Sequence, residues 1–467
     1  MKTGIISSTD CRAHLRFDGS YHLSDSVVYE RIISKHNHVP LHSLCSKIFT
    51  SARGRRVYTN SSKGYPFLSN SDVVSSDPFA TCKYNSIKYS NDKDSFLKEG
   101  MIVTGRVGAI GQTAYINKEF EQKNAIESDN IIRIICNDDI PNGYVYSYLA
   151  SKVGNVMFWK HAAGGVQPYI TDGMVSQIPI PQFPAEFQSK IDKQIKDAAA
   201  LRVDANKLLE EARTLLLKDA GLKDLTPEDY DYYGPRVSGR KVSCFVRNKK
   251  DIDTITINAF NHSERIRKTK ASMPCQTVPL KDVLLGGDTF SSYSVPSIEV
   301  KPEHGIMFIN QKDIFDNIVK GKWVSKRNVS LDKLVEYGEV IVACDGTLGE
   351  SELFCRTLFA NEDLQGALMS THFIRMKTNE SVPSGYLYAW LSSDYGFRFI
   401  RNCQAGTKLC HPIPKMFLQI PVPILAKEIM NAIDEKVPNA LTLRYKANTL
   451  ERSAIKAVEQ EIDGWGK

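Results

Sequence analysis

The stretch Phe187–Leu217, FQSKIDKQIKDAAALRVDANKLLEEARTLLL, is written a second time 242 positions later as IMNAIDEKVPNALTLRYKANTLERSAIKAV. Ile191 falls on Ile433, Asp192 on Asp434, Ala198 on Ala440, Leu201 and Arg202 on Leu443 and Arg444, and Ala205 and Asn206 on Ala447 and Asn448. Both copies are predicted to be long helices. In the first, Ile191, Ala198, Leu201, Ala205, Leu208, Ala212 and Leu215 recur at three-, four- and seven-residue steps, the seam of a coiled coil. Ile433, Ala440, Leu443, Ala447, Leu450 and Ala454 repeat it. Small seam residues let two axes approach closely, and a helix of about 30 residues is roughly 45 Å long. One such helix per half predicts an antiparallel rod. The competing reading is an amphipathic helix packed on its own domain. Pro438 has no counterpart in the first copy and is expected to kink the second helix or delay its start.

The repeat extends outward from the helices. QIPIP before the first matches QIPVP before the second, Ala163-Gly164 matches Ala405-Gly406, Gly143-Tyr144 matches Gly385-Tyr386, and Ile132-Arg133 matches Ile374-Arg375. From Thr371 to Val458 the register stays at 242. Upstream, short apolar segments broken by Gly, Ser, Asn and Asp predict many short strands. Val39–Leu44 pairs with Val278–Val283, the Gly64 strand with Gly305–Ile309, and the glycine turn GMIVTGRVGAIGQ at 100–112 with GEVIVACDGTLG at 338–349. Asn130–Cys136 is predicted as a buried strand and Tyr144–Ala150 as a short helix. The fold class that follows is α+β: two strand-rich domains in tandem pseudo-repeat, at 1–183 and 251–424, with long helices at 184–222 and 425–467. The acidic, Tyr-rich 223–250 between them is predicted as a connector.

At 467 residues the chain is long enough for two or three domains with sizeable cores. Apolar content of 42% and charged content of 24% are those of a globular protein. No window reaches 18 uninterrupted apolar residues and the N-terminus lacks the apolar core of a signal peptide, so a cytoplasmic location is expected. Ten scattered cysteines without a CxxC pair read as free thiols, with no metal site among them. His36 and His38 form an HxH in a loop, more often polar surface than a metal pair. A net charge of +7 admits a polyanionic partner without proving one.

The glycine turns GRVGAIG and CDGTLG, the segments AAGGVQPYITDGMVSQIPIP and QAGTKLCHPIPKMFLQIPVP, and the two matched helices resemble the specificity subunit of type I restriction-modification systems. The likeness covers almost the whole chain, and the paired order is its specific part. It implies that each half is a target recognition domain reading one part of a split, asymmetric DNA sequence. It implies also that the helices dock adenine methyltransferase subunits, two in number, and a restriction or translocase subunit where the system has one. No cofactor and no catalytic centre would reside on this chain. Independently, a rigid two-helix rod would set the unread spacer between two reading domains, at about 3.4 Å per base pair. Two domains of different sequence would read an asymmetric target, whereas identical halves read a palindrome.

Phosphates need Lys or Arg, and base edges need Arg, Asn or Gln. Arg53, Arg55, Arg56 and Tyr58 give the first half its densest basic and aromatic run, and Arg106, Lys160, His161 and Gln167 flank its glycine turns. The second half offers Lys320, Lys322, Lys326 and Arg327 around Trp323, and Gln404, Lys408 and His411 around Gly406, whereas its own glycine turn carries Asp345 and no cation. Ile195, Leu209 and Leu216 form a second apolar stripe on the first helix, a candidate partner-docking face whose competing reading is packing on the chain's own domains. Asp77-Pro78-Phe79 falls one proline short of the tetrad with which amino-methyltransferases hold a flipped base, and no nucleotide-binding P-loop appears. Asp288 with Glu299 and Lys301 could arrange a Mg²⁺ nuclease centre, a spacing that arises easily by chance. A self-standing DNA-binding regulator or inhibitor of the same fold is the alternative function.

Overall fold

A computed structural model of the chain describes residues 5–14, 19–80, 82–90, 92–164, 166–226, 229, 245–252, 255–291, 298–350 and 352–466. Most of the expected connector, including 230–244, and Gly165 of the first glycine pair lie outside the described residues. Two units divide the chain: residues 1–203 with 446–467, and residues 204–445.

In the first unit, NIIRIIC becomes the strand Ile131–Cys136, at the centre of an antiparallel sheet with Cys45–Thr50 on one side and Ile102–Gly105, then Thr113–Tyr115, on the other. An apolar run broken only by Arg133 suits a strand covered on both faces. A second sheet orders Tyr58–Thr59, Lys83–Ser86, Gly64–Leu68 and Ile126–Glu127, the last pair parallel. Helices Asn142–Ala150 and Lys152–His161 follow, and Pro179–Pro181 pairs with His38–Pro40 before the chain enters the long helix Ala185–Asp219.

The second unit repeats this plan. Val340–Ala343 lies between Thr357–Phe359 and Phe373–Met376, and Gly305–Ile309 lies between Lys322–Ser325 and Leu368–Met369. Among the described residues, single bridges from Phe290 to Arg375 and from Glu299 to Val324 stand where the first unit has its outer strands. Helices Ser384–Ser392 and Asp394–Asn402 and the strand Pro421–Pro423 complete the correspondence.

Both units hold their helix pair against the long helix in the same way. The Asp192 side chain accepts the Gly143 N–H at 2.8 Å, and Asp434 accepts that of Gly385 at 2.7 Å. Each N–H belongs to the first turn of a helix, where it has no partner within the helix and where negative charge is favoured. Nothing larger than hydrogen fits there: a Cβ on Gly143 would stand 2.9 Å from Asp192 Cα, and one on Gly385 2.7 Å from Asp434 Oδ1. The next residue adds a second tie, Tyr144 Oη to Pro181 O at 2.6 Å and Tyr386 Oη to Pro423 O at 2.8 Å.

Ile191, Ala198 and Ala205 are buried on the first long helix, as are Ile433, Ala440, Ala447 and Ala454 on the second, whereas Leu201, Leu208, Leu215, Leu443 and Leu450 of the expected seam are half-buried. Arg202 donates to Asn448 at 2.9 Å in the first unit, and Arg444 to Asn206 at 2.7 Å in the second. Within the second unit the partners of Asn206 and Glu211 are Arg444 and Lys436, so these two helical segments run antiparallel.

Two expectations fail. The second helix runs from Lys427 to Trp465 with Pro438 inside it, so the proline does not delay its start. The second stripe is not a free face: Ile195 belongs to the core of the first unit, Leu216 to that of the second, and Leu209 packs against the latter. Packing on the chain's own domains, the competing reading, accounts for all three.

One arginine per unit is buried in the central sheet, and its counter-charge comes from different places. Arg375 donates Nε and Nη2 to Glu339 at 2.7 and 2.8 Å and also serves the carbonyls of Lys333 and Leu334. Arg133, 242 positions earlier, donates to the carbonyls of Ile131, Ser95 and Glu127, and its acid is Glu127, 4.0 Å away on the neighbouring sheet. Removing one member of a buried pair costs about 3–5 kcal/mol, because the other is left charged and dry.

Gly143→Ala and Gly385→Ala are each expected to lower stability by about 1–3 kcal/mol, since a methyl group must displace the Asp192 or Asp434 turn. Urea unfolding read by tryptophan fluorescence measures the change; a drop below about 0.5 kcal/mol would show that the close approach is not a constraint.

Candidate nucleic-acid interface

In the first unit the strand Ile102–Gly105 ends in the turn predicted from its glycines. Gly108 and Gly111 take φ of 77° and 78°, and a Cβ on Gly105 would stand 2.4 Å from the Ala109 carbonyl. This turn is tied on three sides. The Arg106 N–H donates to Asn130 O at 2.8 Å, the Arg106 carbonyl accepts from Ile170 N at 2.9 Å, and Asn70 Nδ2 donates to Val107 O at 3.2 Å. The loop after helix Lys152–His161 thereby lies beside the turn, closed on itself by reciprocal Ala163 and Tyr169 backbone bonds of 2.8 Å. Gln167 and Gly164 are exposed on this loop, Arg106 is half-buried in the turn, and His161 is half-buried in the last helical turn.

Residues 128–130 join the turn to the basic run. Asp129 accepts Arg56 Nη2 at 2.5 Å and has Arg53 Nε at 3.9 Å, one residue before the Asn130 that holds Arg106. Arg53, with 83% of its side chain exposed, is nearly free; Arg55 lies 4.9 Å over the Tyr89 ring and Arg56 5.3 Å over Phe67. Tyr58 is exposed, with Lys83 Nζ 4.9 Å above its ring. Cation–π stacking sets a guanidinium without cancelling its charge. Arg53, Arg55, Arg56, Tyr58, Arg106 and Gln167 are thus brought to one linked set of loops. Lys160 is a correction: it is buried, paired with Glu30 and set 4.9 Å over the Tyr21 ring, so its charge serves the fold.

The second unit builds the same frame with other side chains. Cys344 N donates to His372 O at 2.9 Å, Gly346 and Cys410 exchange backbone bonds of 3.1 and 2.7 Å, and Gln311 Nε2 donates to Asp345 O at 2.6 Å. Gly406 takes φ of 97°, and a Cβ there would meet the Leu409 carbonyl at 2.3 Å. Lys408 is exposed on this loop and His411 donates Nδ1 to Asp345 Oδ1 at 3.2 Å. His372, which the sequence reading missed, also donates Nδ1 to Asp345. Just beyond the turn, Arg356, Arg398 and Arg401 converge on the single carboxylate of Glu350 and the carbonyls beside it. Burial would raise the Glu350 carboxyl, but the Arg398 hydrogen bond and the guanidinium charges outweigh it and hold it below its usual range. Lys322 pairs with Glu299 at 2.5 Å and Lys320 with Asp316 at 3.9 Å, while Lys326 and Arg327 are exposed beyond the half-exposed Trp323. Gln404 is a correction: it is buried, and its carbonyl accepts from Asn261 at 2.8 Å.

Asn70 and Gln311 were also missed, although each stands two residues past a matched strand and clasps the turn carbonyl of its unit. Asp77-Pro78-Phe79 is a structural turn, with the Phe79 ring 5.3 Å from Phe120. His36 stacks on Trp465 at 4.1 Å, and among the described residues no group of three His, Cys, Asp or Glu is placed to hold a metal. Asp288 accepts from the Thr289 N–H, and Glu299 is spent on Lys322. The nine described cysteines are free thiols. No helix among the described residues is long and apolar enough to cross a membrane.

Each unit by itself thus offers basic and hydrogen-bonding side chains from turns held on a sheet. The profile of the type I restriction modification DNA specificity domain matches residues 45–211. Over those residues the chain is similar to the DNA specificity domains of type I restriction-modification systems. Among solved structures it is similar to a type I restriction-modification S subunit from M. genitalium at 12% identity and TM-score 0.35, covering 92% of this chain and 95% of that one. It is similar also to the HsdS subunit from Thermoanaerobacter tengcongensis at 13% identity and TM-score 0.26, covering 92% and 96%. A chain from a structural study of type I system assembly and conformational transition matches at 15% identity and TM-score 0.28, covering 92% and 97%. No curated protein sequence matches.

Glu127 lies under the basic loop, on a cavity of about 40 Å³ lined also by Arg55, Arg56, Tyr89 and Asp129. Among the described residues neither of its oxygens accepts a hydrogen bond, and burial outweighs the Arg133 charge, so the carboxyl is pushed up to about 7. The folded state therefore holds a proton that the unfolded state releases near its ordinary value. The stability this proton contributes is complete at low pH and is lost as pH rises from about 4.5 to about 7. Glu127→Gln is expected to remove that fall; urea midpoints at pH 5 and pH 8 that differ equally in both proteins would contradict it.

Proposed function

We propose that each unit reads one part of a split, asymmetric DNA target, the first through Arg53, Arg55, Arg56, Arg106 and Gln167, the second through Lys326, Arg327, Lys408 and His411. The observation that carries this reading is the doubled frame. Asn130 and His372, and Tyr169 and His411, occupy positions 242 apart on equivalent bonds yet differ in chemistry. One scaffold with two sets of side chains is what two unlike half-sites require.

In this proposal the helices Ala185–Asp219 and Lys427–Trp465 form an antiparallel coiled coil that sets the spacing of the half-sites and docks two adenine methyltransferase subunits, on surfaces outside Ile195, Leu209 and Leu216. A nuclease or translocase subunit joins where the system encodes one. The work is done on cytoplasmic DNA.

Co-purification with an adenine methyltransferase encoded beside this chain, followed by methylation-sensitive sequencing of DNA from cells carrying both, tests the reading. A stoichiometric complex and a split asymmetric methylated motif are expected. Absence of a complex, or methylation indifferent to deletion of this chain, would overturn it in favour of a self-standing DNA binder.

Replacing Arg53, Arg55 and Arg56 together by Ala is expected to weaken binding across sequences and to lower the salt slope by about 1 for each phosphate that is no longer neutralised. Titration at 50 and 200 mM salt measures it, and an unchanged slope would place the phosphates elsewhere. Lengthening both helices by one heptad adds about 10 Å, which is expected to widen the unread spacer by about 3 base pairs; the methylated motif reports the spacing directly, and an unaltered spacer would remove the helices from that role.

A further inference from the structure

Three segments meet at one carboxylate in the second unit: the glycine turn brings Asp345, the residue before strand Phe373–Met376 brings His372, and the closed loop after helix Asp394–Asn402 brings His411. The two histidines are attached to separate oxygens of Asp345, and their side chains are 53% and 57% exposed, against 21% for the carboxylate. An ionised carboxylate only accepts, so the shared proton sits on Nδ1 of each ring. A neutral ring so fixed turns the Nε2 lone pair outward as an acceptor. Asp345 is itself held at both ends of its backbone by Gln311, at 2.6 and 3.2 Å. The rings are therefore oriented in advance, which spares the ordering cost that free surface side chains incur on binding.

We propose that His372 and His411 are a base-reading pair, each accepting through Nε2 a hydrogen bond from an exocyclic amino group of duplex DNA. Adenine N6 and cytosine N4 are the amino donors that the major groove displays. The inference rests on the DNA-reading function proposed above and adds to His411 a residue, His372, which sequence reasoning passed over. The surroundings favour an approaching polyanion, because three guanidiniums gather around the one carboxylate of Glu350 a few residues further along the chain. The first unit has Asn130 and Tyr169 at the equivalent places and Val107 at the place of Asp345, so this reading device belongs to the second half-site alone.

The test is selection from a randomised duplex library by the full chain with its methyltransferase partner, using the unaltered protein, H372A/H411A and D345N. The unaltered protein is expected to return a two-part motif. H372A/H411A should keep one part and lose preference at one or two positions of the other, with about 5- to 150-fold less discrimination against the wrong base. D345N keeps the side-chain volume but leaves one acceptor oxygen for the two rings, and should relax the same positions. A motif unchanged in both variants overturns the proposal while leaving DNA reading intact. Failure of the unaltered protein to return any motif overturns both.

Discussion

A backbone N–H of a helix's first turn, given to an aspartate on a long helix, is the contact on which each unit depends. Gly143 and Asp192 make it once, Gly385 and Asp434 again, and in both places the glycine is demanded by contact with the partner helix. The bond is short, charge-assisted and aligned with the dipole of the smaller helix. Because it sets the height at which the domain meets the long helix, it also sets where the following tyrosine reaches the proline carbonyl at the strand end. Everything the turns display is placed through that junction.

This explains why the repeat is so legible where it is. The register that stays at 242 runs through Gly385, Tyr386, the QIPVP strand and Asp434, which are the parts that must fit one another. The glycine turns are less alike because their shape comes from backbone bonds and glycines rather than from side chains. Strand Ile131–Cys136, helix Asn142–Ala150 and the glycine turns could be read from apolar runs and turn residues. Burial could not. Lys160 and Gln404 look like surface residues in the sequence, and only the fold shows Glu30 beside the first and the second buried, with Asn261 bonded to its backbone carbonyl. The apolar stripe of Ile195, Leu209 and Leu216 failed for a related reason: a helix with a domain beside it buries more than one seam. Pro438 misled because a helix fixed by packing along its length tolerates one missing hydrogen bond.

The chemistry displayed by the two frames differs in kind. The first unit presents guanidiniums held over aromatic rings and partly balanced by Asp129, an arrangement suited to phosphates. In the second, lysines near the outer sheet are paired with acids, and excess positive charge lies deeper, around Glu350. Charge close to solvent gives attraction that salt weakens, whereas charge inside a low-dielectric core is screened much less.

The buried arginines bear on how such a chain can change over time. Arg133 and Arg375 occupy one position of the repeat, but Glu339 precedes the central strand of the second unit while the equivalent residue of the first is Met101. Likewise Glu127 of the first unit corresponds to Met369 of the second. A recombination joint placed between these two acid positions would therefore produce an arginine with two acids or with none. Crossovers at the ends of the long helices carry each arginine together with its own acid. Exchange of whole units leaves this pairing intact.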